Sequence, residues 1–168
     1  TGADFFRALA RNLARALQVR YAFVAECCVS AATGRPAARM RAFWKGDRFG
    51  TDLEYELSDT PCRQVLEGQT VHCADNVQAR YPDDGSLAWW DARSYLGMPL
   101  LGSDGAVIGH MAILDSRPLP DDAAARSVMG LCVGRAGAEL ERLKAAEGQQ
   151  RALAEVEVLR DRLQDENV

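Results

Sequence analysis

Two long apolar segments joined by a short turn constrain the fold of this chain more than any other part of its sequence. The segments are SYLGMPLL (94–101) and AVIGHMAILD (106–115), and Gly102-Ser103-Asp104-Gly105 separates them. Asp104-Gly105 supplies the positive backbone angles that a tight turn needs, so the pattern predicts a β-hairpin. In the second segment alternate side chains face opposite sides of the sheet: Val107, Gly109, Met111 and Ile113 on one side, and Ile108, His110, Ala112 and Leu114 on the other. Both sets are largely apolar, which predicts a central strand in a sheet covered on both faces.

The composition fits one ordinary globular domain with an appendage, because 168 residues with 48% hydrophobic side chains suffice to bury a core. No targeting segment is apparent, and no run approaches the roughly 18 apolar residues of a membrane span. The five cysteines are scattered and form no Cys-x-x-Cys pair, which is typical of reduced thiols and argues against a zinc site. A net charge of -4, with both signs intermixed, argues against direct nucleic-acid binding. We therefore expect a cytoplasmic domain that contacts neither membranes nor nucleic acids.

The sequence before the hairpin predicts two helices and four strands. Periodicity and composition indicate helices over residues 4–18 and 61–67 and strands over residues 21–29, 39–45, 53–57 and 70–73. Asp4 is the expected N-cap of the first helix. In the second strand, Met40, Ala42 and Trp44 are expected to share one face. Thr60-Pro61 and Gly68 are typical signals for the start and the end of the short helix.

Residues 74–93 form a loop-rich passage directly before the hairpin. Asp75-Asn76 and the sequence YPDDG at 81–85 have turn composition, and one short helix is expected after Ser86. A passage of this kind between strands predicts a lid over one face of the sheet.

A long helix is predicted to follow the hairpin. Asp121 or Asp122 is its expected N-cap. Its apolar stripe comprises Val128, Cys132, Ala136, Leu140 and Leu143. Farther along, Leu153, Val156 and Leu163 are spaced like the seam of a coiled coil.

The phase of this apolar pattern changes near Gly148. A glycine in a helix interior also lowers helix stability by about 1 kcal/mol. We therefore predict a domain over residues 1–145 and a coiled-coil linker over residues 146–168, and we interpret the chain as a fragment of a longer protein. The small residues Gly130, Gly134 and Ala138 form a smooth stripe suited to packing against the first helix or a partner subunit.

The order of these elements, the segment YELSDTPCRQV (55–65) and the hairpin over 95–115 resemble a GAF domain across roughly residues 1–145. The segment LRDRLQDENV (159–168) is similar to the helix that joins such sensors to the ATPase of sigma-54-dependent transcriptional activators. Histidine kinases and diguanylate cyclases have comparable linkers, so a sensor of either class is the alternative.

The resemblance implies an α+β, GAF/PAS-like fold with a central antiparallel sheet of about six strands and helices on both faces. It further implies an unidentified small-molecule ligand between sheet and lid, a homodimer formed through the terminal helices, and an output domain beyond the C-terminus. A ligand that prefers one arrangement of lid and helices shifts their populations. A pure dimerisation module, with its pocket filled by its own side chains, remains a further alternative.

The candidate ligand-binding residues are Trp44, Tyr55, Cys62, Trp89, Trp90, Tyr95, Met98 and His110. The aromatic side chains suit a ligand pocket or a core equally. His110 lies on an apolar strand and is expected to be a hydrogen-bonded histidine of the core or pocket, since one histidine makes no metal or haem site. Cys62 lies in the first turn of a helix, where the backbone dipole lowers a thiol pKa, although a small buried residue is the simpler interpretation.

Specific cofactors and catalysis are disfavoured within the resemblance. Bilin-carrying relatives have Cys followed by His, whereas this chain has His72-Cys73, and the Asn-Lys pair of cyclic-nucleotide-binding relatives is absent. Free methionine sulfoxide reductases share the GAF fold and have a cysteine placed like Cys62. They also need one in the segment where this chain has Trp89 and Trp90. We expect no catalytic residue and no metal, and the cofactor, if any, stays unknown.

Overall fold

A six-stranded antiparallel sheet separates two groups of helices in this protein. The computed structural model describes residues 1–51, 53–121 and 123–166. The elements in chain order are α1 (Gly2–Leu17), β1 (Tyr21–Val29), β2 (Pro36–Trp44), β3 (Glu54–Glu56), α2 (Pro61–Leu66), β4 (Val71–Cys73), α3 (Val77–Arg80), α4 (Gly85–Trp89), β5 (Ser94–Leu101), β6 (Val107–Asp115) and α5 (Ala123–Asp165). The strand order is β3-β2-β1-β6-β5-β4, so the α+β fold with six strands and the central position of β6 are confirmed.

The predicted hairpin is formed by β5 and β6. Gly105 has the positive backbone angle (φ 82°) that the turn needs, while Asp104 does not and instead accepts a hydrogen bond from the backbone N–H of Ala106. A register shift between Leu100 and Leu101 displaces the start of β6. Because of this bulge Ile108 packs on the same side as Met111, which corrects the simple alternation expected from the sequence.

A second bulge lies where β1 pairs with β2. Val24 is opposite Ala42 and Ala25 is opposite Met40, so Arg41 is the extra residue. The bulge reverses the alternation along β2, and Met40 and Trp44 therefore lie on opposite faces of the sheet, contrary to the sequence-based expectation.

The two faces of the sheet are named here by what covers them. The terminal-helix face packs against α1 and α5, and its core includes Phe6, Leu13, Met111, Met129 and Leu140. The cavity face packs against α2, α3 and α4, and its core includes Phe23, Val65, Leu87, Tyr95 and Leu114. Helices therefore cover both faces of the sheet, as predicted.

Backbone comes unusually close on the terminal-helix face. A Cβ at Gly109 would clash with the carbonyl oxygen of Ala25 and would lie 2.8 Å from Leu140 Cδ2. A Cβ at Gly137 would lie 2.7 Å from the carbonyl oxygen of Leu101. Glycine at these two positions lets the strands and α5 approach more closely than any larger residue allows.

Helix α1 starts at Gly2, two residues earlier than predicted. Thr1 is its N-cap, and Asp4 is the third helical residue, whose side chain completes a capping box with Thr1. Asp4 was expected to be the cap itself. Its acidic side chain still lies in the first turn, where it favours helix formation.

Helix α5 is continuous for 43 residues and passes through Gly148 without interruption. Its buried residues are Ala125, Met129, Ala136, Gly137 and Leu140, while Val128, Cys132 and Leu143 of the predicted stripe are partly buried. Asp121 forms an ion pair with Arg126, and Asp122, the other candidate N-cap, lies outside the described residues. No helix in the described ranges combines the length and apolar character needed to cross a membrane.

The last contacts of α5 with the rest of the domain are polar. Arg41 binds both carboxylate oxygens of Glu147 at 2.8 Å and also contacts the buried Glu26 at 2.9 Å. Residues 149–166 are exposed, including the predicted seam residues Leu153, Val156 and Leu163. Gly130, Gly134 and Ala138 also face solvent, so their stripe does not pack against α1.

Candidate ligand-binding site

A cavity of about 240 Å³ lies between the cavity face of the sheet and the helices that cover it. Its volume is slightly below the range of pockets that hold drug-sized molecules, so it suits a smaller ligand. The lining residues are Phe23, Met40, Leu53, Tyr55, Glu56, Ser58, Thr60, Pro61, Cys62, Asp83, Asp84, Gly85, Ser86, Leu87, Trp90, Tyr95 and Leu114.

Helix α2 forms one wall of the cavity and places Cys62 there. The helix starts at Pro61 in its first position, and Gly68 (φ 98°) follows its end, as the sequence predicts. Thr60 is the N-cap residue, but its hydroxyl donates to the carbonyl oxygen of Leu57 and does not cap the helix. Tyr81, which follows α3, donates a hydrogen bond from its hydroxyl to Gln64 and connects this wall to the lid.

The predicted lid contains two short helices, α3 and α4, where one was expected. Asp84 is the N-cap of α4 and accepts a hydrogen bond from the backbone N–H of Ser86. Leu87 is buried beneath α4 and lines the cavity. The ring of Trp90 lies 5.0 Å from that of Phe43 and 6.0 Å from that of Tyr21, which fixes the end of the lid on the sheet.

A chain of four polar side chains runs from the sheet to α2. His110 Nε2 lies 3.2 Å from the Tyr55 hydroxyl, which donates to Cys62 Sγ at 3.5 Å, and that sulfur lies 3.4 Å from the Tyr95 hydroxyl. His110 Nδ1 is buried and has no hydrogen-bond partner in the described chain. The tautomer with hydrogen on Nε2 leaves only a lone pair unpaired at Nδ1, and His110 then donates to Tyr55.

Burial decides the protonation states of His110 and Cys62. It lowers the pKa of His110 to about 3, so the imidazole is neutral near pH 7. It also raises the pKa of the Cys62 thiol to about 11, although hydrogen bonds from Tyr95 and Tyr55 oppose the shift. The helix dipole was expected to lower this thiol pKa. Burial outweighs it, because α2 has only six residues and the sulfur is excluded from water.

Three carboxylate side chains line the cavity, and all three are exposed or half-buried. Glu56 lies at the end of β3, and Asp83 and Asp84 precede α4. The side chains of Glu56 and Asp83 form no ion pair or hydrogen bond within the described ranges. No lysine, arginine or histidine of the described chain lines the cavity. The negative charge of Asp84 contributes to the raised pKa of both Tyr55 and Cys62, so its field reaches the buried end.

The structure brings together four of the eight residues selected from the sequence. Tyr55, Cys62, Trp90 and Tyr95 line the cavity. His110 is fully buried behind them and contacts the cavity through Tyr55.

The other three selected residues lie away from the cavity. Trp44 is on the terminal-helix face, with its ring 5.0 Å from that of Phe49. Met98 also packs on that face, opposite Met111. Trp89 is 91% exposed and borders a separate surface cleft with Arg20, Lys45 and Arg48.

Sequence reasoning missed most of the apolar lining and all three carboxylates. Leu114 shares its strand face with His110, so the alternation in β6 was a usable signal for it. Phe23 and Met40 needed the register of β1 and β2, including the bulge at Arg41. Asp83 and Asp84 had only turn composition, which gives no information about the direction in which their side chains point.

A family model for the GAF domain matches residues 2–140. This chain belongs to the GAF domain family. No protein among the curated sequences matches it. The match spans the sheet, the lid and most of the packed part of α5, so the domain includes the whole cavity.

Solved structures share the fold of this GAF domain at low sequence identity. The blue-light absorbing form of the Thermosynechococcus elongatus PixJ GAF domain superimposes with a TM-score of 0.67, 15% identity and coverage of 92% of this chain and 93% of that chain. The GAF domain of a two-component sensor histidine kinase from Bacillus halodurans gives 0.61 and 11%, with 83% and 96% covered. Type II free methionine-R-sulfoxide reductase from Thermoplasma acidophilum gives 0.64 and 16%, with 84% and 92% covered.

Residues His72 and Cys73 have structural contacts in this GAF domain. His72 Nε2 lies 2.8 Å from the carbonyl oxygen of Leu119, and Cys73 Sγ lies 3.2 Å from that of Asp75. Neither lines the cavity. Among the described residues, no three histidine, cysteine, aspartate or glutamate side chains are grouped closely enough to hold a metal ion.

Proposed function

We propose that this GAF domain is the cytoplasmic small-molecule sensor of a bacterial signalling protein. The observation that carries the proposal is the cavity between sheet and lid, which is lined by aromatic side chains and covered by α4 and the turn that precedes it. A ligand there contacts the sheet through Tyr95 and the lid through Trp90. Binding therefore favours the arrangement in which the two are held together.

The signal leaves the domain through α5. This helix packs on the terminal-helix face up to Leu143, is held by Arg41 at Glu147, and is exposed to solvent over residues 149–166. A change in the sheet reaches Arg41 directly, since Arg41 is the bulged residue of β2. We propose that α5 pairs with its copy in a homodimer through Leu153, Val156 and Leu163, each at least 60% exposed in the single chain.

The output that we propose is a sigma-54-dependent transcriptional activator. The proposal rests on the similarity of residues 159–168 to the linker of that class. The alternative output is a histidine kinase or a diguanylate cyclase, which the fold shared with a histidine kinase GAF domain favours.

We propose no catalytic activity for this domain. The fold shared with a methionine sulfoxide reductase favours an enzyme. However, among the described residues Cys62 is the one cysteine that lines the cavity, and burial raises the pKa of its thiol, which keeps it protonated near pH 7. The segment in which the resemblance implies a second cysteine holds Trp89 and Trp90 instead.

Native mass spectrometry of the protein purified gently from cells tests the sensor proposal. Wild type is compared with Trp90→Ala, which removes a cavity wall, and with the matched control Trp89→Ala, which removes the neighbouring exposed ring. We expect wild type and Trp89→Ala to carry extra mass that is lost on denaturation, and Trp90→Ala to lose most of it. The same spectra report whether the chain is a dimer.

A different result favours the pure dimerisation module. In that case all three proteins form dimers without extra mass, and a panel of metabolites raises the melting temperature of none of them.

A further inference from the structure

The charge of the cavity lining narrows the class of ligand. The buried end is formed by aromatic and aliphatic side chains, chiefly Phe23, Tyr95 and Leu114. The lining residues that reach solvent include the carboxylates of Glu56, Asp83 and Asp84, and no basic residue of the described chain lines the cavity. The buried part of the lining is therefore largely apolar, and the part that reaches solvent carries negative charge.

This distribution disfavours anionic ligands. A phosphate or carboxylate group placed in the cavity would lose its hydration and meet up to three like charges without a compensating arginine or lysine. The neutral His110 supplies no positive charge either, since burial keeps its pKa near 3.

A ligand with a positive charge is favoured for the opposite reason. Glu56 and Asp83 have no ion-pair partner within the described ranges, so a bound cation gains their attraction without first breaking a salt bridge. The side chains of Trp90 and Tyr55 line the same cavity. An ammonium group placed over either ring would gain a cation–π attraction. Asp84 is already oriented by its hydrogen bond from the Ser86 backbone N–H.

We infer that the ligand of this GAF domain is a small organic cation, with an apolar body seated against the sheet and an amine or quaternary ammonium group between Glu56 and Asp83. This inference rests on the proposed sensor function. It assigns the apolar body to the buried aromatic and aliphatic side chains and the positive charge to the carboxylates of β3 and the lid.

Three probes of similar size and shape test the effect of ligand charge on binding. They are phenethylamine as the cation, 2-phenylethanol as the neutral molecule and phenylacetate as the anion. Their dissociation constants are measured by nuclear magnetic resonance titration of the full chain at millimolar probe. We expect the amine to bind at least about tenfold more tightly than the alcohol, since tenfold corresponds to about 1.4 kcal/mol. The anion is expected to bind least, and added salt should weaken only the amine.

The variant Glu56→Gln/Asp83→Asn removes two carboxylates while conserving side-chain shape. We expect it to bind the amine about tenfold more weakly and the alcohol unchanged. The matched control Glu155→Gln/Glu157→Gln removes the same charge from the exposed part of α5 and should leave both affinities unchanged. Unchanged binding of the alcohol also shows that the double variant is folded.

The outcomes separate the two proposals. If the alcohol or the anion binds as tightly as the amine, and Trp90→Ala abolishes that binding, the cation inference is wrong and the sensor proposal stands. If none of the three probes binds and the native spectra show no extra mass, both proposals are wrong.

Discussion

The two faces of one sheet are packed in opposite ways. On the terminal-helix face, Gly109 and Gly137 bring backbone into close contact and large aliphatic side chains fill the remaining space. On the cavity face, tyrosine, cysteine and histidine side chains form a polar chain next to an open volume. Since the same strands contribute to both, the difference arises from what covers them: two long helices on one face and three short ones on the other. Long helices bury a continuous stripe, whereas short helices and turns leave space that a ligand can occupy.

Truncating a leucine on each face gives the largest expected effect. Leu140→Ala on the terminal-helix face should lower the free energy of unfolding by about 2–5 kcal/mol, because Leu140 is fully buried in close packing. Leu87→Ala should cost roughly 1–2 kcal/mol, because Leu87 already borders the cavity and the five-residue helix α4 can adjust. Urea unfolding of both variants measures the difference. Equal losses would show that the two faces are equally rigid.

The second effect concerns the pH dependence of the cavity face. The pKa of His110 is about 3 in the folded state and near 6.5 when unfolded, so the unfolded chain binds the proton first as the pH falls. The contribution of His110 to the free energy of unfolding is therefore fully present above its unfolded-state pKa of about 6.5 and is lost as the pH falls toward 3. Between pH 7.5 and 5.5 we expect a loss of about 1.4 kcal/mol, measured by urea unfolding.

Two histidine variants isolate this contribution. His110→Gln keeps a hydrogen-bonding group near Tyr55 and should remove most of the loss between pH 7.5 and 5.5. His72→Gln changes the other histidine of the chain and should show the same loss of stability between pH 7.5 and 5.5 as wild type. The assignment to His110 would fail if His110→Gln showed the same pH dependence as wild type.

The smallest effect tests the polar end of the terminal-helix face. Glu147→Gln should lower the free energy of unfolding by less than about 1 kcal/mol, because Glu147 is partly exposed and Arg41 keeps its contact with Glu26. Denaturation of this variant beside wild type measures it. A loss above about 2 kcal/mol would mean that the Arg41–Glu147 pair contributes as much as aliphatic packing does elsewhere on this face.

Sequence reasoning located the strands well because their signal is local. The bounds of β1 are those expected, and the turn at Gly105 and the helix start at Pro61 follow from single residues with strong preferences. The bulges at Arg41 and after Leu100 could not be predicted from the sequence, because a bulge depends on how two distant segments pair. The misplacement of Trp44 in the predicted pocket follows from the first of these bulges.

The candidate site was predictable where it depends on the two tyrosines and on α2. Tyr55, Tyr95 and Cys62 lie on elements whose position the pattern indicated. Trp89 and Trp90 are adjacent, and only the structure shows that Trp90 lines the cavity while Trp89 faces solvent. The carboxylates of the lid were missed for the same reason: side-chain direction in a loop has no periodic signal.

The contact between Arg41 and Glu147 is also the point about which the exposed end of α5 would tilt. Beyond it, α5 extends to Asp165, a distance of roughly 27 Å at 1.5 Å per residue. A tilt of only about 10° at this point moves the tip by about 4–5 Å, close to the rise of one helical turn. A tilt too small to disturb the packing of the sheet therefore displaces the end of α5 near Asp165 by several ångströms. That displacement is large enough to change which residues of two neighbouring helices meet.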